Sequence, residues 1–269
     1  MKKRILSTVI ALIIALPTFA SVAVAPTKLE INSTRFKTNY VTSALEIKGN
    51  DKTPTRYRAF AEYFKVNEKG ELVMIEKSDE PQNIAKKLRF IPSEFTVAQG
   101  KNQKLRVNIP NLNTLVDGES RAVLYIEDVN PKEFMLDTGR PGIGAQLIIK
   151  TRVAVPIYVD HGKAVRNAEI EYAKINKQKD GYYLEMKVTD SGNSKARCNG
   201  MIQISEAKKL KTETKLQEFV VAPGSYNIVK TKINTDKLEP GTYSARVVVT
   251  YRDINEKMKT LKQEIELNL

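Results

Sequence analysis

The side chains best suited to chemistry are scarce in this chain and are not arranged for catalysis. His161 is the only histidine and stands in the turn Asp160-His161-Gly162, with no second imidazole to share a metal ion or a proton. Cys198 is the only cysteine, so no intrachain disulfide can form. Arg197 beside it favours a thiolate, yet no histidine is left to act as its base, and Cys198 reads as a packed or half-exposed thiol. No zinc-ligand spacing or nucleophile elbow occurs. Gly139-Arg140-Pro141-Gly142-Ile143-Gly144 is glycine-rich but lacks the strand-to-helix setting that cradles a phosphate. No spacing marks out a pair of strand carboxylates of the glycosidase kind. The chain reads as non-enzymatic, and no cofactor, ATP or metal is implied. What remains is positive charge and apolar strands, and these need a different kind of function.

The first residues set the compartment. Lys2, Lys3 and Arg4 precede an apolar run from Ile5 to Leu16, and Pro17-Thr18-Phe19-Ala20 follows. That is the layout of a secretory signal, too short for a membrane span, with cleavage expected after Ala20; cleavage after Ala25 also fits a small-x-small rule. Nothing downstream approaches 18 uninterrupted apolar residues, so the exported chain is expected to be soluble, without stable membrane insertion. Losing three basic residues lowers the formal charge from +13 to +10 (13 − 3). Export removes nucleic acid as a partner, leaving acidic polymers, anionic lipid surfaces or acidic proteins, or simply a lysine-rich solvated surface.

The rest of the chain alternates with a period of two between turns, which is the pattern of half-buried strands. Strands are expected at Val22–Ile31, Val41–Ile47, Arg56–Val66, Leu72–Ile75, Leu88–Ile91, Phe95–Val97, Leu105–Ile109 and Arg121–Val129. A loop carrying Pro131, Gly139, Pro141, Gly142 and Gly144 is expected from Asn130 to Gly144. The most apolar strand then runs unbroken from Ala145 to Val159. The turn at Asp160-His161-Gly162 divides the chain. Beyond it, strands flank Lys179-Asp180-Gly181, a hairpin turn signal, and Tyr243 to Tyr251 alternates cleanly after Pro240-Gly241. The charged stretch 207–219 fits helix or strand. Trp is absent, which excludes the Cys-Trp-Cys signature of antibody domains. The fold class is all-β: two tandem immunoglobulin-like sandwiches, at 21–161 and 162–269 after the signal at 1–20.

Several motifs in order carry a family resemblance. They are Val24-Ala25-Pro26-Thr27-Lys28-Leu29, Phe90-Ile91-Pro92, Gly100-Lys101-Asn102-Gln103-Lys104-Leu105-Arg106-Val107, Asp117-Gly118-Glu119-Ser120-Arg121 and Thr151-Arg152-Val153-Ala154-Val155-Pro156-Ile157-Tyr158-Val159. In this order, behind a signal peptide, the chain resembles the PapD-like periplasmic chaperones of fimbrial assembly, in a divergent or alternative branch. The resemblance implies donor-strand complementation, in which the chaperone lends a strand to a fimbrial subunit that lacks its own last one. The lent segment would lie within Gly142–Thr151, with Ile143, Ala145, Leu147 and Ile149 entering the subunit. It further implies a basic anchor for the subunit's terminal carboxylate at Lys28. The family's second basic position falls on Ala154, so Arg152 or Lys150 would have to supply that charge. Glu119 matches the acidic member of the family's interdomain ion pairs, and Tyr158 stands where the family has Arg. The implied partners are fimbrial subunits and an outer-membrane usher, in the periplasm. A secreted immunoglobulin-like adhesin, or an envelope module binding acidic polymers, would share the same strands and turns but would need no half-exposed apolar strand and no basic cleft.

Overall fold

The computed structural model describes residues 22–67, 71–75, 77–140, 143–236 and 238–269. The expected signal segment, 1–20, lies outside them. Apart from three short 3-10 turns, every regular element among the described residues is a β-strand. The first half holds β1 Val22–Ala25, β2 Leu29–Asn32, β3 Tyr40–Gly49, β4 Thr55–Val66, β5 Leu72–Ile75 and β6 Arg89–Ile91. It continues with β7 Glu94–Val97, β8 Asn102–Pro110, β9 Gly118–Asp128, β10 Lys132–Arg140, β11 Ile143–Ile149 and β12 Arg152–His161. The second half holds β13 Ala168–Gln178, β14 Gly181–Asp190, β15 Ala196–Glu206, β16 Lys209–Val221, β17 Ser225–Lys232, β18 Thr242–Arg252 and β19 Met258–Asn268.

Two sandwiches result, each around its own core. The first core runs from Val22 to Val159 and lies between the sheet β1-β3-β8-β6 and the sheet β2-β12-β9-β4-β5, with β7 also on β4. The second runs from Ala168 to Leu267, between β13-β14-β17 and β16-β15-β18-β19. Alternation fills both. On β12, Val155, Ile157 and Val159 point inward and are fully buried, while Arg152, Ala154, Pro156 and Tyr158 face outward. Each buried side chain contributes about 1.5–3 kcal/mol of burial free energy.

Four local expectations change. Val22–Ile31 is two strands: Pro26, which has no N–H to donate, falls at the point where the chain leaves β1 in one sheet and enters β2 in the other. The expected loop 130–144 contains a strand, β10. The expected unbroken strand 145–159 is interrupted at Lys150-Thr151, which separates β11 from β12. The ambiguous 207–219 stretch belongs to a hairpin, with Ala207 and Lys208 at φ 46° and 67° between β15 and β16.

Candidate functional site

β10 and β11 form a two-stranded ribbon that belongs to neither sandwich. They prolong β9 and β12, but between the pairs Glu127–Arg152 and Lys132–Ile149 four residues (Asp128–Pro131) lie on one side against Lys150-Thr151 on the other. The ladder therefore slips: Arg152 faces Glu127, whereas Ile149 faces Lys132. That slip carries the ribbon away from the core that would otherwise cover it. On the ribbon Met135, Leu147, Ile148 and Ile149 are 76%, 42%, 56% and 45% exposed. Among the described residues, no strand pairs with the second edge of β11. Leu147 and Ile149 thus stand open to solvent. Ile143 and Ala145 belong to β11 by backbone, and their side chains lie outside the described residues.

The free edge continues into β12. β2 covers β12 only from Ile157 to Asp160, in parallel register with Leu29 to Asn32. Arg152 to Pro156 are paired with β9 on one side and, among the described residues, with nothing on the other. An open lane therefore runs from Ile143 to Val155. Extending the parallel register by one residue sets Lys28 abreast of Pro156, at the closed end of that lane. Lys28 is half-exposed, and its ammonium lies 3.8 Å from Glu30.

Arg152 is four residues from that end, about 13 Å along the strand, and its side chain leans the other way. Its Nε and Nη2 donate to Glu127 Oε2 at 2.9 and 2.5 Å, and its guanidinium stacks on Tyr125 and Phe60 at 4.6 and 5.2 Å. The geometry does not gather Lys28 and Arg152 around one point. Lys150 also turns to Glu127, with Nζ 2.9 Å from Oε1. Arg58 of β4 completes the set, with Nε and Nη2 at 2.9 and 2.6 Å from Oε1. Glu127 is 1% exposed; hydrogen bonds from these three cations overcome its desolvation and hold its carboxyl down at about 2.

A second ionic cluster joins the two sandwiches. Glu119 is buried, and its Oε2 accepts from Lys195 N and Nζ at 3.3 and 3.1 Å. Lys195 also lies 3.5 Å from Glu30 and 3.3 Å above the Tyr158 ring. Tyr158 in turn meets Phe64 edge-on, and burial pushes its phenol up to about 12. Burial pulls Lys195 below its usual value, against the attraction of Glu119 and Glu30. Arg197 donates to Glu30 at 2.6 Å, and Asp160 takes Arg166 Nη2 and Ser194 Oγ at 2.6 and 2.5 Å. Gly118, at φ +99°, lets the backbones meet here: a Cβ would lie 2.6 Å from Asn193 O. His161 Nδ1 is hydrogen-bonded to Ser33 Oγ at 2.8 Å, and burial raises the Cys198 thiol to about 12.

The sequence reading missed Glu127, Arg58, Glu30, Lys195 and Arg197. Only the outward position of Glu127 on an alternating strand hinted at one of them. The others depend on which strands become neighbours.

No family model and no curated protein matches the chain. Solved structures do match across nearly all of it. The class 5 fimbriae chaperone CfaA is 11% identical with TM-score 0.47, over 92% of this chain and 100% of that one. A chain of the CsuC–CsuE chaperone–tip adhesion subunit complex from archaic Csu pili of Acinetobacter baumannii is 14% identical with TM-score 0.41, over 90% and 98%. A chain of the Salmonella enterica SafA pilin–SafB chaperone complex is 11% identical with TM-score 0.42, over 94% and 99%. The chain is thus similar, over nearly its full length, to chaperones of chaperone–usher pili. The functional reading rests on its own strands and side chains.

Proposed function

We propose that this protein is an exported chaperone of the periplasm that binds fimbrial subunits by lending them β11, completes their fold, and passes them to an outer-membrane usher. The observation that carries this reading is the ribbon: a strand whose second edge has no partner among the described residues, with solvent-exposed Leu147 and Ile149, held outside both cores. A free, apolar edge is a template for strand pairing and a liability if left uncovered. An incomplete β-sandwich supplies the matching groove. Main-chain hydrogen bonds then give affinity, and alternate side chains fill its pockets. Covering Leu147 and Ile149 contributes up to about 1.5–3 kcal/mol each, before the cost of ordering both chains. Lys28, at the closed end of the lane, is the residue we assign to the subunit's terminal carboxylate. Burial and pairing supply the driving force, so no nucleotide is needed.

The test is co-expression of the exported protein with a fimbrial subunit, followed by purification of the pair. The wild-type chain is expected to form a one-to-one complex. Leu147→Asp should abolish it and Lys28→Glu weaken it strongly, while both free proteins keep the wild-type melting temperature. Complex formation undiminished in both variants would overturn the assignment.

A further inference from the structure

We infer that Glu30 is a built-in competitor for Lys28, the residue assigned to the subunit's terminal carboxylate, and that Arg197 of the second domain is the positioning residue that holds it off. This rests on the strand-lending reading and adds that the second domain tunes the anchor.

The sequence places the competitor. Lys28 and Glu30 flank Leu29, whose side chain enters the first core, so both project from the opposite, outward face. Residues two apart on a strand are about 6.6 Å apart along it, within reach of a lysine and a glutamate. Left to themselves such neighbours pair, and a carboxylate already on Lys28 competes with any that a partner brings.

The second domain changes that outcome. Arg197 Nη2 donates to Glu30 Oε1 at 2.6 Å, and Lys195 Nζ lies 3.5 Å from the same oxygen. Lys28 Nζ stands 3.8 Å from the other oxygen, Oε2, beyond hydrogen-bond range. Burial raises the Glu30 carboxyl, but the Arg197 hydrogen bond and then the charges of Lys195, Arg197 and Lys28 outweigh it and hold the group below its usual value. The two cations of the second domain thus dominate over Lys28. Arg197 is itself fixed, because its Nη1 donates to Glu218 Oε1 at 2.5 Å. β15 carries Arg197 and β16 carries Glu218, so a hairpin of the second sandwich aims the guanidinium at Glu30.

The charge count shows what Arg197 contributes. The connected ion pairs set Lys28, Arg121, Lys195 and Arg197 against Glu30, Glu119 and Glu218, a surplus of +1 (4 − 3). Lys28 and Arg121 lie at opposite ends of this chain of pairs, and Lys28 is the more exposed. With Arg197 in place, an arriving carboxylate meets an ammonium that has no carboxylate within hydrogen-bond range among the described residues. Without Arg197 the surplus falls to zero (3 − 3), and Glu30 is free to turn to Lys28. The newcomer then meets a paired cation with a like charge beside it.

A pair of peptides of alternating valine and threonine, about ten residues long, one ending in a free carboxylate and the other in an amide, tests this by fluorescence anisotropy against the exported protein. The ratio of their affinities reads the anchor alone, since any loss of folded protein affects both equally. Wild type is expected to prefer the carboxylate about 10-fold, and Lys28→Gln to lose that preference. Arg197→Gln should cut it by about 3-fold or more. Glu30→Gln should raise it, and Arg197→Gln/Glu30→Gln should recover at least the wild-type ratio, because the competing charge is gone. A ratio left unchanged by Arg197→Gln, not raised by Glu30→Gln, or not recovered in the double variant would overturn the competitor and leave Lys28 standing as the anchor. No carboxylate preference in wild type, a preference that survives Lys28→Gln, or no peptide binding at all would overturn the terminal-carboxylate reading and this inference together.

Discussion

β11 and β12 are neighbours in the chain and alike in composition, yet they meet opposite fates. Val155, Ile157 and Val159 are sealed in a core, whereas Leu147, Ile148 and Ile149 face solvent. Intrinsic preference does not separate them, because both are rich in β-branched or large apolar residues. What separates them is what lies alongside. β12 has β9 on one edge and β2 on part of the other, and among the described residues β11 has only β10. The two-residue slip at Asp128–Pro131 opposite Lys150-Thr151 is the local cause, and Glu127 with its three cations sits at that slip. One strand stabilises its own domain; the other leaves its apolar side chains exposed.

Substitutions that treat the two strands alike break the comparison most sharply. Ile157→Asp places an unpaired charge in the first core and should cost more than about 4 kcal/mol, enough to abolish a cooperative melting transition for that domain. Leu147→Asp should change the stability by no more than the few tenths of a kcal/mol typical of exposed sites, leaving the melting transition nearly unmoved. Differential scanning calorimetry on the pair gives the contrast directly.

Lys195→Met comes next. It leaves buried Glu119 with only Arg121, whose Nη1 lies 3.7 Å from Oε1, and losing one member of a buried pair costs about 3–5 kcal/mol. The loss should appear in chemical denaturation as an earlier transition, with weaker coupling between the two sandwiches.

Glu127→Gln is expected to cost about 1–3 kcal/mol, because the exposed cations can return to water. The same group sets a pH dependence. Its folded pKa lies below the ordinary carboxylate value, so its stabilising contribution is complete above about pH 4.5 and is lost as the pH falls toward about 2. Wild type should lose stability across that window, and Glu127→Gln should lose less.

The smallest expected effect is at Cys198, whose buried thiol should not react with a thiol reagent until the second domain unfolds.

Much of this was legible in the sequence. Period-two alternation found most of the first domain's strands, the hairpin at Lys179-Asp180 and the strand ending at Tyr251. The β15–β16 hairpin stayed hidden because its turn uses Ala207 and Lys208 at positive φ, where Asn-Gly would have signalled it. β10 was hidden by the flanking prolines and glycines that read as loop. The ionic clusters were not legible at all: Glu127 gathers residues from β4 and from the β11–β12 junction, and Lys195 meets Glu119 across 76 residues of chain. Such contacts follow from strand order, which alternation does not encode.

Amide hydrogen exchange of the protein alone and in complex with a fimbrial subunit tests the open edge most directly. The account predicts that Leu147 to Ile149 exchange rapidly in the free protein and become protected in the complex, while Val155 to Val159 are protected in both. Protection of Leu147 to Ile149 already in the free monomer, or none gained on complex formation, would contradict it.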